Sequence, residues 1–160
     1  MFCVIFSKWI RYFYFKRVHV KHEGKRNHSC ENSFRILQIS TMEPIRIKAT
    51  TDTPKVECNL DGTITLAGKS LTEDPLPFFK PIIDWVANLT VETITFNIQL
   101  DYMNTSCSKE IYSLLKAAKD NDNQKNIIIN WFCDASDEDS FEIGKEFESM
   151  LEIPFIIQQF

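Results

Sequence analysis

The side chains best placed to do chemistry are Asn104, Thr105 and Ser106, which sit where an extended run passes into a helical one. Read as structure, they are helix caps, because Asn, Ser and Thr oxygens accept from the free N–H groups that open a helix. Read as chemistry, one of the hydroxyls is a phosphate acceptor. A phosphoryl group brings about −1.5 to −2 charges and several acceptor oxygens, and a helix N-terminus receives an anion well. Lys109 follows one turn along and could assist. Cys107 lies at the same helix start, where a thiol can be acidified. It has poor company, since all three histidines (His19, His22, His28) precede residue 42 and Arg46 is the only Arg after it. A Cys-His or Ser-His nucleophile pair is thereby excluded from the body of the chain.

Two other candidates fail on spacing. The acidic run Asp134 to Asp139 has Asp139 and Lys145 where a calcium loop needs Gly and Glu. It suits a helix N-terminus, where the backbone dipole favours anions. There is also no G-x-x-x-x-G-K and no G-x-G-x-x-G, so nothing supports a nucleotide cradle or any other cofactor.

The elements that must position these groups follow from periodicity. Ile45 to Lys48 alternates as a short strand does. Lys55 to Leu60 and Thr63 to Ala67 alternate on either side of Asp61-Gly62, a hairpin signal. Phe78, Phe79, Ile82, Ile83, Val86 and Leu89 recur at helical spacing, which predicts a helix from near Phe79 with Pro81 in its tolerant first turn. Glu92 to Tyr102 is rich in β-branched and aromatic residues and reads as a central strand. Ile111, Leu114, Leu115 and Ala118 mark a second helix, closed by Asp120 to Asn123. Asn126 to Cys133 is nearly all apolar, which predicts a strand buried on both faces. Phe141, Phe147, Met150 and Leu151 give a third helix its apolar side. Pro154 stops it before a last strand, Phe155 to Phe160. The order β-β-β-α-β-α-β-α-β predicts an α/β fold: one mixed sheet with an N-terminal antiparallel hairpin and about three packed helices.

Charge divides the chain unevenly. Of 18 Lys and Arg and 22 Asp and Glu, residues 1–41 hold eight bases against two acids, so residues 42–160 hold ten bases against twenty acids, a balance of −10. Apolar runs before residue 42 are broken by Lys8, Arg11, Lys16 and Arg17, too short for a span of roughly 20 apolar residues. The expected domains are therefore 1–41, a basic extension that is disordered or an upstream mis-start, and 42–160, one domain. A surface-binding helix and a basic arm for nucleic acid are the other readings of the first segment. Five cysteines without a C-x-x-C pair, and no export signal, point to the reducing cytoplasm.

Residues Leu100 to Ser106, with Lys109 behind them, resemble the L-x-Y-x-N-T-S-S-x-K core of the SiaC family of bacterial regulatory phosphoproteins. Thr53-Pro54, Gly68-x-Ser70, Ile83 to Val86, Trp131, Glu146-Phe147 and Pro154-Phe155 match in the same order. The resemblance runs from about Ile45 to Gln158 and leaves out the basic extension. Cys107 is a departure, standing where the family often has a second Ser.

The resemblance implies a fold similar to anti-sigma-factor antagonists and a switch protein that is not an enzyme. It implies phosphorylation of Thr105 by a partner kinase and its reversal by a PP2C-like phosphatase. It also implies that the unphosphorylated form binds and activates a diguanylate cyclase, raising cyclic di-GMP and promoting biofilm. Tyr102, Asn104, Ser106 and Lys109 are the neighbours expected to meet the partner. Nucleic acid and stable membrane insertion are not expected. Two rivals stand beside this: an antagonist that binds an ATP-using anti-sigma kinase, and an enzyme built on Cys107.

Overall fold

The computed structural model describes residues 42–160, so the basic extension 1–41 lies outside the described residues. A single six-stranded sheet runs in sequence order, β1 (Ile45–Ile47), β2 (Lys55–Cys58), β3 (Thr63–Ser70), β4 (Thr93–Met103), β5 (Asn126–Cys133) and β6 (Phe155–Gln159). The first three strands pair antiparallel and β3 to β6 pair parallel, so the sheet is mixed as expected. Helices α1 (Leu76–Asn88), α2 (Thr105–Lys119) and α3 (Glu138–Leu151) make the crossovers.

Consecutive strand order has a geometric consequence. Parallel crossovers are almost always right-handed, so three crossovers moving in one direction lay all three helices on one face. The burial pattern agrees. Ile94, Phe96 and Ile98 of β4 are fully buried, and the residues between them are not. Strand β5 follows the same alternation: Ile129, Trp131 and Cys133 are buried, whereas Ile128 is 38% exposed on the other side. The expectation of a strand covered on both faces is therefore corrected. Among the described residues the helix layer protects one face only, and the other carries Thr65, Asn97 and Asn130, the last donating to Asn97 at 2.8 Å.

Helix α1 also begins earlier than its apolar spacing indicates. The Pro75 carbonyl accepts from the N–H groups of Phe78 and Phe79, at 3.1 and 2.9 Å, and Pro77 takes the tolerant first-turn place. Pro81 consequently falls in the helix interior, where it leaves the Pro77 carbonyl without its i+4 donor. Full burial of Phe79, Ile82 and Val86 against the sheet offsets that loss. The third helix starts as expected. Asp137 caps Ser140 N–H at 2.9 Å, and Asp134 accepts from the Ser136 hydroxyl and N–H. Those Ser136 bonds, hydroxyl first, hold the Asp134 carboxyl below its usual range.

The hairpin forms around a three-residue loop, Leu60-Asp61-Gly62, closed by Asn59 N–H to Thr63 O at 2.9 Å. Gly62 adopts φ +91°, and a Cβ there would stand 2.4 Å from the Thr93 carbonyl at the start of β4. Both the backbone conformation and the space demand Gly. Gly62→Ala is expected to destabilise the fold by at least about 2 kcal/mol, measured by urea unfolding; an unchanged midpoint would refute this account of the turn.

Candidate functional site

Strand β4 ends at Met103 and α2 opens at Thr105, leaving Asn104 as the single residue between them. Every polar group of Asn104 is used. Its N–H donates to Ser70 O at 3.0 Å, and its side-chain Nδ2 donates to Leu71 O and Thr72 O at 2.8 and 3.2 Å. Its Oδ1 caps Cys107 N–H at 2.8 Å, and its carbonyl accepts from Ser108 N–H at 2.9 Å. The segment after β3 is fastened in turn, since Leu71 and Thr72 N–H both donate to Asp52 O. Thus Thr53-Pro54, Gly68-x-Ser70 and Asn104, distant in sequence, converge on one end of the sheet.

Thr105 and Ser106 stand exposed in the first turn of α2, just outside that clamp. Asn104 satisfies Cys107 N–H, and the N–H groups of Thr105 and Ser106 precede any intrahelical acceptor. The first turn of α2 holds no acid, whereas Lys116 and Lys119 lie in its last turn, so no carboxylate competes for its positive end. Lys109 is exposed one turn further on.

Tyr102 is turned outward by a change of register. Along β4, Ile94, Phe96, Ile98 and Leu100 face the helices, so simple alternation would send Tyr102 the same way. Between Gly68 and Lys69 the pairing slips by one residue, leaving Asp101 unmatched and bringing Lys69 opposite Tyr102. Gly68 takes φ +100° at the slip. A bulge of this kind re-aims a side chain, and Tyr102, three residues before Thr105, is 60% exposed. Lys69 and the Leu71–Thr72 carbonyls are site features that motif reading missed. An isolated Gly inside a strand was the available signal for the bulge.

Cys107 is in the same turn but faces inward. It is fully buried, with its Sγ 3.6 Å from Thr72 O. Burial pushes its thiol up, with the Ser70 hydroxyl and Thr72 backbone pulling it partly back. Burial pushes Cys58 up to about 12 and also raises Cys133. A buried protonated thiol is a poor nucleophile, which counts against the Cys107 enzyme. Among the described residues, no group of His, Cys, Asp or Glu is placed to hold a metal, and no helix is long and apolar enough to cross a membrane.

Two outcomes follow from this geometry. Asn104→Ala removes a cap worth about 0.5–2 kcal/mol and strands two carbonyls, for a combined loss of about 2–3 kcal/mol. Asn104→Asp keeps the cap but cannot donate, so it should recover only part of that loss in thermal unfolding. Equal stability of Asn104→Ala and wild type would contradict the clamp. Thiol labelling of the folded protein at neutral pH should find Cys107 no more reactive than Cys58 and Cys133; faster labelling of Cys107 would revive the enzyme reading.

Comparison with known proteins gives a consistent answer. A family model described as SiaC family regulatory phosphoprotein matches residues 47–160. An uncharacterised protein of Pseudomonas aeruginosa (strain UCBPP-PA14) is 25% identical over 122 residues, covering 73% of this chain and 97% of the relative. The crystal structure of apo-SiaC from Pseudomonas aeruginosa is similar with TM-score 0.65 and 25% identity, covering 73% of this chain and 99% of that one. The structure of the diguanylate cyclase SiaD in complex with its activator SiaC, from the same organism, is matched with TM-score 0.63 and 25% identity, covering 72% of this chain and 99% of that one. The chain belongs to the SiaC family of regulatory phosphoproteins.

Proposed function

We propose that this chain is a non-enzymatic cytoplasmic switch whose state is set by phosphate on Thr105. A partner kinase adds the group and a PP2C-like phosphatase removes it. The unphosphorylated form binds and activates a diguanylate cyclase, and the cyclic di-GMP so formed promotes biofilm. The observation that carries this reading is the exposure of Thr105 in the first turn of α2, in a family of regulatory phosphoproteins. The cyclase partner is suggested by the similar SiaC, described as the activator in its complex with SiaD.

Magnitudes favour a direct effect of the phosphate over an internal rearrangement. Reversing a two-state equilibrium from 1:99 to 99:1 takes about 5.5 kcal/mol. The helix dipole supplies about 0.3–1 kcal/mol, at most about 2, and it stabilises the phosphoprotein in the conformation already present. Taking an unpaired ion out of water into an interface, by contrast, costs several kcal/mol. The phosphate therefore acts where the partner would sit. Tyr102 supplies an aromatic anchor of the kind that dominates interfaces, and Ser106 and Lys109 are exposed at the start of α2 that follows it. Asn104 acts through the backbone it holds, because its own polar atoms are already committed.

Stoichiometrically phosphorylated protein should bind the cyclase at least about a hundredfold more weakly than the unphosphorylated form, the equivalent of about 2.7 kcal/mol. Thr105→Asp should fold normally and lose the partner, whereas Thr105→Ala should bind and resist modification. Calorimetric titration against the cyclase measures all three. Phosphoprotein with undiminished affinity, or phosphate mapped to another residue in native cells, would overturn the proposal.

A further inference from the structure

Strand β6 is an edge that lacks the usual protection against pairing with another chain. Native edge strands are kept short, bulged, charged or interrupted by Pro. At the opposite edge, β1 is three residues long and carries Arg46. Strand β6 pairs with β5 without a register shift, and Phe155 to Phe160 contains no charged side chain and no Pro.

The backbone of β6 has a determinable direction. Phe160 N–H donates to Cys133 O at 3.2 Å, and Phe160 O accepts from Ala135 N–H at 3.0 Å. In a parallel pair, alternate residues face the neighbour. Ile156, Gln158 and Phe160 therefore bond to β5, and Phe155, Ile157 and Gln159 point their N–H and C=O groups away from it. Phe155 N–H is already occupied by Glu148 Oε1 at 3.0 Å. Among the described residues no strand pairs with the outer side of Ile157 and Gln159, which present both groups on this edge.

We propose that a second copy of this chain docks there, β6 against β6 in antiparallel register about a two-fold axis at Gln158. In that register Ile157 of each copy exchanges both backbone hydrogen bonds with Gln159 of the other. The alternative axis at Ile157 would require Phe155 N–H, which Glu148 holds. The chosen register also places Ile156 of each copy across from Phe160 of the other. These side chains are 51% and 64% exposed and lie on the uncovered face of the sheet. Each would cover the other, a self-complementarity that an isologous contact requires. Bodies that carry ten bases against twenty acids repel one another, and Ile156 to Gln159, beyond the Glu148 carboxylate at Phe155, is a stretch without charged side chains of its own where they can approach. One strand edge buries less than the standard interface of about 1,600 Å², so the dimer depends on concentration.

Light scattering with size-exclusion chromatography on the full chain, over a concentration series, is the test. Wild type should rise towards the dimer mass. Gln158→Lys faces two lysines across the axis, and Gln159→Pro removes an outward N–H without breaking the β5 ladder. Gln158→Lys should weaken dimerisation up to about fivefold, and Gln159→Pro, which removes one hydrogen bond from each half of the symmetric contact, about tenfold or more, both with unchanged circular dichroism. Gln158→Cys should give, on mild oxidation, a 158–158 interchain disulfide, because residues opposed at a non-hydrogen-bonded site stand about 4.5 Å apart. Wild type that stays monomeric throughout would overturn the proposal, and so would a dimer that survives both Gln158→Lys and Gln159→Pro. If the edge instead receives an extended peptide of another protein, the wild type will be monomeric and the first outcome applies. None of these readings depends on Thr105, so they fail or succeed independently of the phosphorylation switch.

Discussion

One asparagine fixes the geometry on which the proposed switch depends. Asn104 bonds to the segment leaving β3, to the first turn of α2 and to the end of β3 itself. A side-chain amide both donates and accepts, so it can hold carbonyls on one side and an N–H on the other. A second amide does related work at the far end of α2. Buried Asn121 donates to Val86 O and Leu89 O at 3.0 and 2.9 Å, tying the helix to the end of α1. Helix α2 is thus held at both ends, and the hydroxyl of Thr105 stands in a fixed place relative to the sheet.

Rigidity of this kind suits a signal written in charge. With α2 fastened, the proposed phosphate at its start would alter what the surface presents and leave the fold alone. The one-residue slip opposite Gly68 serves the same end, because it sets Tyr102 outward at the strand end that leads into α2. The one-sided helix layer adds a separate consequence. Among the described residues it leaves a sheet face and the β6 edge uncovered, so the proposed phosphate site and the proposed dimer contact lie on different parts of the domain.

Much of this arrangement was legible in the sequence because local rules and tertiary packing agree. Element order, the Asp61-Gly62 hairpin, the acidic start of α3 and the strand-to-helix junction at Asn104 all follow from spacing and capping chemistry. The mismatches share a cause in non-local geometry. The apolar run of β5 cannot reveal that three successive crossovers leave one face bare. Apolar spacing places α1 from Phe79, whereas Pro75 and Pro77 start it earlier and tertiary burial carries it past Pro81. Alternation alone points Tyr102 inward, and only the pairing of β3 with β4 exposes the extra residue that turns it out. The acceptor role proposed for Thr105 rests on the motif around it, since a threonine at a helix start is ordinary.

Amide chemical shifts of the protein before and after full phosphorylation of Thr105 test the central claim most directly. The account predicts changes confined to the first turn of α2, the end of β4 and the segment joining β3 to α1, with the remaining sheet and helix amides unmoved. Shifts spread across the sheet and α3 would show that phosphate reorganises the fold, and would contradict a switch that works by surface charge on a rigid junction.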